Sequence, residues 1–146
     1  MNKHRRSQRN KIKSILDEKL SLEDKVTIWE IDLQQLNRNL HRIKTSEYSN
    51  DAKGQGESLE DRYTSQISSK EEIEEKIQMA NDKIVRIEAA LERLKIRDKE
   101  SYAMFEMCYF EGKSIGYISD TKGYSCGSVL NKIRDMEDAF VKILSC

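Results

Sequence analysis

The 146-residue sequence contains no proline and only six glycines. Both residue types interrupt α-helices, so their scarcity favours a chain that is mostly helical. The sequence also lacks any apolar run near the ~20 residues that span a bilayer. No apolar segment follows its basic N-terminus. We therefore expect neither a membrane-spanning helix nor a secretory signal.

Cysteines are also few, with Cys108, Cys126 and Cys146 widely spaced along the chain. An odd number at such spacing is typical of a protein of the reducing cytoplasm rather than of a disulfide-linked one. The two histidines, His4 and His41, lie far from one another and from any cysteine pair, so the sequence predicts no metal site. Glycine-rich nucleotide loops and the HExxH and GxSxG motifs are absent. We therefore expect neither a cofactor nor an enzymatic activity.

The 26 basic and 26 acidic residues give a formal net charge of zero, but they are unevenly distributed. The first 13 residues contain no acid and hold Lys3, Arg5, Arg6, Arg9, Lys11 and Lys13. Such a basic arm favours a polyanionic partner, and it predicts auxiliary phosphate contacts from Arg5, Arg6 and Arg9. The alternative is a solvated terminus without a partner.

Two apolar stripes with alternating spacings of four and three residues are the clearest pattern in the sequence. They consist of Leu22, Val26, Trp29, Leu33, Leu36, Leu40 and Ile43, and of Ile73, Ile77, Ala80, Ile84, Ile87, Leu91 and Leu94. This heptad spacing places each stripe along one side of a long helix. Ser21 predicts the start of the first helix, and either Ser68 or Ser69 predicts that of the second. Apolar residues before Ser21 indicate a lead-in helix.

Residues 45–66 separate the stripes and contain two glycines and many small polar residues without apolar periodicity. We interpret them as a flexible loop. A connection of this length allows the stripes to pair either as an antiparallel coiled-coil hairpin or between two chains in a dimeric bundle. Further apolar residues widen the stripes and favour a homodimer. They are Ile28, Ile31, Met79 and Val85.

The C-terminal third, residues 98–146, predicts a separate unit of short helices and tight turns. Asp98 marks either the cap of a new helix or a bend, and Ser114 is suited to cap a short helix that Gly123 breaks. Ser125 is suited to cap the last helix. The face that this helix turns inward consists of Val129, Ile133, Met136, Phe140, Val141 and Leu144. A short helix, a tight turn and a second helix form the helix-turn-helix arrangement.

The stretch YFEGKSIGYISDTKGYSCGSVLNKIRDMEDAF resembles region 4 of sigma-70-type transcription factors. The matching positions are Tyr109, Phe110, Glu111, Gly112, Ser114, Ile118, Gly123, Ser125, Val129 and Ile133. The layout of a charged helical half, a polar loop and a C-terminal helix-turn-helix resembles the ArpU/RinA-type late-gene regulators of phages and prophages in Gram-positive bacteria. The resemblance implies an all-α transcriptional regulator, an activator, that works in the cytoplasm of a bacterial host cell.

The resemblance also implies that the helix after Ser125 enters the major groove of double-stranded DNA with its N-terminal half. The implied contacts come from Ser125, Cys126, Gly127, Ser128, Asn131, Lys132 and Arg134. Asn131 is suited to read adenine, and Lys132 or Arg134 to read guanine or hold phosphate. Residues 98–146, however, carry six basic and eight acidic residues. Either the basic arm or dimerisation adds affinity, or the unit mainly contacts protein such as RNA polymerase.

The sequence thus predicts a basic arm and lead-in helix at 1–20, a coiled-coil region at 21–97 and a helix-turn-helix domain at 98–146. Its leading interpretation is a DNA-binding transcriptional regulator of phage type. Two alternatives stay open. A small terminase subunit or other DNA-packaging adaptor also joins a helix-turn-helix to an oligomerising helical region, and it would form a large ring. A coiled-coil interaction adaptor would bind protein and no DNA.

Overall fold

The computed structural model of the protein describes residues 2–46 and 59–145. Over these ranges the ordered secondary structure consists of helices alone: α1 (Asn2–Ser46), α2 (Leu59–Arg97), α3 (Lys99–Tyr109), α4 (Ile115–Lys122) and α5 (Cys126–Leu144). The predicted all-α class is therefore confirmed for the described part of the chain. None of these helices has an apolar stretch long enough to pass through a membrane.

Helix α1 runs without interruption from Asn2 to Ser46, whereas the sequence predicted a new helix start at Ser21. The predicted start is wrong because nothing in residues 2–46 ends a helix: this range contains neither glycine nor proline. The predicted lead-in helix is therefore the first part of α1.

Helix α2 begins at Leu59, nine residues before Ser68, the earlier of the two predicted starts. The predicted loop at 45–66 is therefore wrong over residues 59–66. This segment has no apolar stripe, but Glu60 and Asp61 lie in the first turn, where acidic side chains are favourable to the helix dipole. Residues 47–58, which contain the two glycines of the predicted loop, lie outside the described residues.

Both apolar stripes face inward, because every stripe residue is buried or half-buried. Residues 12–16 of α1 pack in one cluster with residues 87–94 of α2, and Leu22 and Trp29 share a groove with residues 76–83. Later residues of α1 thus contact earlier residues of α2, so the two helices lie antiparallel. The additional apolar residues beside the stripes are exposed: Ile28, Ile31, Met79 and Val85.

The chain divides into two compact units. The five-helix unit consists of Met1–Leu20 and Ile84–Cys146, and the two-helix unit consists of Ser21–Lys83. The sequence placed a boundary after residue 97, whereas the structure places it after residue 83. The reason is that both long helices extend into the core of the five-helix unit.

Two hydrophobic clusters form that core. The larger one joins α1, α2, α3 and α5 through Ile12, Leu16, Ile87, Ala90, Leu94, Phe105, Met136, Ala139 and Phe140. The smaller one joins α3, α4 and α5 through Met104, Ile118, Val129 and Ile133. The ring centroids of Phe105 and Phe140 lie 6.1 Å apart in the larger cluster. One face of α5 thereby packs in both clusters, and its opposite face lies towards solvent.

Candidate nucleic-acid interface

The site is built on α4, α5 and the turn between them, and its first support is the start of α3. Asp98 caps α3, because its Oδ1 accepts a hydrogen bond from the Ser101 backbone N at 3.1 Å. The Ser101 hydroxyl donates a second bond to Oδ2 at 2.8 Å. These two bonds favour the charged carboxylate and lower the pKa of Asp98. The sequence left open a cap or a bend here, and the cap is confirmed.

Helix α4 begins and ends as its sequence predicts. The Ser114 Oγ accepts a hydrogen bond from the Tyr117 backbone N at 3.1 Å. At the other end Gly123 has φ 78°, a left-handed conformation that glycine adopts without strain. Between them Ile118 is fully buried. These contacts fix both ends of α4 and its packing on α3 and α5.

Tyr124 holds the turn between α4 and α5. Its hydroxyl donates a hydrogen bond to the Glu100 carboxylate at 2.6 Å, and its backbone carbonyl accepts one from the Ser119 hydroxyl. The bond to Glu100 raises the pKa of Tyr124. The turn is therefore tied to both α3 and α4, which fixes the point where α5 begins.

Helix α5 begins at a serine cap, as predicted. The Ser125 Oγ accepts a hydrogen bond from the Ser128 backbone N at 3.1 Å. Val129 and Ile133, which follow on the inward face, are fully buried. The Ser125 hydroxyl oxygen thus already accepts the capping hydrogen bond, and a DNA contact from Ser125 would have to use the same oxygen.

The outward face of α5 brings together four of the predicted DNA-contacting residues. Gly127 and Asn131 are exposed, and Ser128 and Arg134 are half-exposed. Their spacing along the helix places them on neighbouring parts of one face. The Arg134 Nε has no hydrogen-bond partner among the described residues. This face therefore presents an amide, a hydroxyl and a guanidinium beside a glycine.

Two predicted residues lie apart from this face. Cys126 is exposed in the first turn of α5. The Lys132 Nζ lies 5.2 Å from the ring centroid of Tyr124, a cation–π distance, and places its charge at the edge of the face. Tyr124 was not predicted as part of the site. The sequence indicates a role for Tyr124 in the turn only through its position directly before the capping Ser125.

The basic N-terminus is part of α1 and packs on α5. Arg5 donates two hydrogen bonds to the Asp138 carboxylate, at 2.9 and 3.3 Å, and the Arg9 Nε lies 3.5 Å from the Glu137 Oε2. Arg6 is exposed. The phosphate contacts predicted for Arg5 and Arg9 would therefore compete with ion pairs inside the unit, whereas Arg6 is open to solvent.

Glu137 is a carboxylate buried in this unit, with 1% of its surface exposed. Besides its ion pair with Arg9, it accepts a short hydrogen bond from the hydroxyl of Tyr109. Burial, and then this bond to Glu137, raises the pKa of Tyr109 above its ordinary value. Sequence reasoning missed this group. The signal was an acidic residue four positions after the inward-facing Ile133.

The fold changes the charge balance of the site. The five-helix unit contains 17 basic and 12 acidic residues, a net charge of +5. The two-helix unit contains 9 basic and 14 acidic residues, a net charge of −5. The negative balance of residues 98–146 is thus reversed once the ends of α1 and α2 join them.

Comparison of the chain with protein-family models, with curated proteins and with solved structures gave no match.

Proposed function

We propose that the protein is a DNA-binding transcriptional regulator of phage type, in which α4 and α5 act as a helix-turn-helix. The observation that carries this proposal is the outward face of α5. It presents polar groups from the first half of a helix whose other face is anchored in two hydrophobic clusters. A rigid helix with an exposed polar N-terminal half is what major-groove reading requires.

The side chains on this face have the chemistry of base and phosphate recognition. Asn131 offers an amide that pairs with adenine, and Arg134 offers a guanidinium that pairs with guanine or phosphate. Gly127 adds an independent argument, because a Cβ at this position would meet no atom within 4 Å. Nothing in the described part of the chain requires glycine there. Close approach of the helix backbone to a ligand would require it.

The charge of the five-helix unit supports the same proposal. A net charge of +5 attracts the phosphate backbone, which supplies much of the affinity for DNA. The N-terminal arginines contribute by neutralising acids on α5 that would repel DNA. Arg5 does so at Asp138, and Arg9 does so at Glu137. We therefore assign the basic arm an indirect role through these pairs and a direct phosphate contact through Arg6.

The remaining parts of the proposal come from the sequence. Activation of late genes and contact with RNA polymerase rest on the resemblance, the homodimeric state rests on the wide apolar stripes, and the location in the bacterial cytoplasm rests on the resemblance and the cysteine usage.

The proposal is tested by incubating the purified protein with double-stranded fragments of its source genome and sequencing the DNA that it retains. We expect retention of a short region. Asn131→Ala and Arg134→Ala should each weaken binding to that region by about 1–3 kcal/mol, because each removes a base-reading or phosphate-binding group. The matched control is Arg38→Ala, which removes an exposed arginine from the negatively charged two-helix unit. It should leave binding unchanged.

Three outcomes decide against the proposal. No retained DNA at physiological salt would favour the coiled-coil interaction adaptor. Equal binding by Asn131→Ala, Arg134→Ala and the parent protein would exclude α5 as the reading helix. Retention of DNA by a large ring of subunits would favour the packaging adaptor.

A further inference from the structure

An apolar groove of about 200 Å³ opens between α1 and α2 in the two-helix unit. Its lining consists of Leu22, Trp29, Lys76, Met79, Ala80 and Lys83. Ala80 is the one small residue of the second stripe, so it leaves space beside the larger indole of Trp29. Met79 stands at the rim with 60% of its surface exposed. The groove is thus large enough for an aliphatic side chain.

Ile28 lies on the same side of the helix pair as the groove. Ile28 and Met79 each come one residue before a stripe residue, Trp29 and Ala80 respectively. In two antiparallel helices, positions that precede the contact residue by one lie on the same side of the pair. Ile28 is 57% exposed there. One surface therefore carries both an apolar groove and an isolated aliphatic side chain.

The charges around Ile28 and around the groove are complementary. Asp24 and Asp32 lie one turn before and one turn after Ile28, on the same face of α1. Lys76 and Lys83 line the groove on α2. At ~1.5 Å per residue the two aspartates are separated by about 12 Å along their helix, and the two lysines by about 10 Å along theirs. The two carboxylates beside Ile28 thus have nearly the same spacing as the two ammonium groups beside the groove, and the opposite charge.

We infer that this face of the two-helix unit binds a second copy of this chain. Ile28 of each copy enters the groove beside Trp29 of the other, and Asp32 of each copy faces Lys76 of the other. A two-fold axis satisfies both insertions at once, because the inserted residue and the groove belong to one face. The inference deepens the homodimeric state of the proposed function by naming its surface, which lies outside the five-helix unit and requires no DNA.

The mass in solution and the fluorescence of Trp29 test this inference. The chain has a single tryptophan, so its emission reports directly on the groove. We expect sedimentation equilibrium to give twice the 17.1 kDa chain mass. The emission of Trp29 should shift to shorter wavelength over the same concentration range, because insertion of Ile28 removes water from the indole.

Substitutions at the rim locate the interface. Ile28→Lys and Met79→Lys should each raise the dimer dissociation constant at least tenfold. The matched control is Val85→Lys, because Val85 is 63% exposed but follows a stripe residue by one position, on the other side of α2. It should leave the dimer intact. Circular dichroism should show unchanged helicity in all three, because the positions are exposed in the single chain.

A charge exchange tests the register. Asp32→Lys should weaken the dimer, and the double variant Asp32→Lys, Lys76→Asp should restore it. The inference is overturned by a protein that is monomeric at all concentrations, by an assembly larger than a dimer, or by a dimer that Ile28→Lys and Val85→Lys affect equally. The variant Arg134→Ala should remain a dimer, so failure of DNA binding and failure of dimerisation are measured separately.

Discussion

The two units are both built from helices, but they differ in how completely they bury their apolar side chains. In the five-helix unit, several helices together enclose fully buried residues such as Phe105 and Phe140. In the two-helix unit, two helices meet along one stripe, so large apolar residues such as Ile28 and Met79 stay exposed. The opposite net charges of the units follow the same division. The enclosed core leaves a polar face of α5 exposed, whereas the single stripe leaves apolar side chains exposed.

The largest expected effect is on the enclosed core. Phe140→Ala should lower the free energy of unfolding by about 3–5 kcal/mol, because it leaves a cavity among four helices. Ile77→Ala, in the half-buried stripe of the two-helix unit, should cost less than about 2 kcal/mol, because solvent already reaches that position. Urea unfolding followed by circular dichroism measures both. Equal costs would show that the two units are not packed differently.

An intermediate effect is expected at the buried carboxylate. Tyr109→Phe removes the hydrogen bond to Glu137 and should lower the free energy of unfolding by about 1–3 kcal/mol at neutral pH. The pKa of Tyr109 is raised in the folded protein, so the folded state holds this proton more tightly than the unfolded state does. The stability that Tyr109 contributes is therefore complete below pH ~10 and decreases as the pH rises above that value.

Stability measured as a function of pH separates Tyr109 from the other tyrosines. Tyr109→Phe should show a smaller loss of stability above pH ~10 than the parent protein. The control is Tyr63→Phe, which removes an exposed tyrosine hydroxyl from the two-helix unit and should leave the stability at neutral pH unchanged. An alkaline loss identical in Tyr109→Phe and the parent would contradict the assignment.

The smallest effect is expected at Gly127. Gly127→Ala should raise the free energy of unfolding by up to about 1 kcal/mol, because alanine favours the helix and the new Cβ meets no atom within 4 Å. The same change should weaken DNA binding if the backbone of α5 approaches DNA there. Gly116→Ala in α4 is the matched control, since its Cβ would lie 4.0 Å from the Ser114 Oγ. A gel-shift titration in which both variants bind DNA like the parent protein would contradict a close approach of DNA to the α5 backbone at Gly127.

The sequence predicted those features that depend on neighbouring residues. The inward faces of both stripes and the caps at Ser114 and Ser125 are all confirmed. Each depends on a helical repeat or on a hydroxyl three residues from its donor. Such contacts span one or two turns, so residue spacing is enough to find them. The face of α5 could likewise be derived from the buried positions of Val129 and Ile133.

The features that the sequence did not predict depend on distant residues. Ser21 resembles a helix start in the sequence, although α1 continues through it. Glu137 finds its partners in Tyr109, 28 positions away, and in Arg9 near the start of the chain. The net charge around the site does not follow from the sequence either, because nothing in residues 1–20 indicates that they pack with residues 98–146.

The division of the five-helix unit into two stretches of sequence has a consequence for its synthesis. A ribosome completes Met1–Leu20 long before Ile84–Cys146, and the core of the unit needs both stretches. During elongation Ile12 and Leu16 therefore lack the residues that bury them in the finished core, and Arg5 lacks the carboxylate of Asp138. Contacts of such long sequence separation form slowly. The basic segment therefore acquires its place only after α5 has been synthesised.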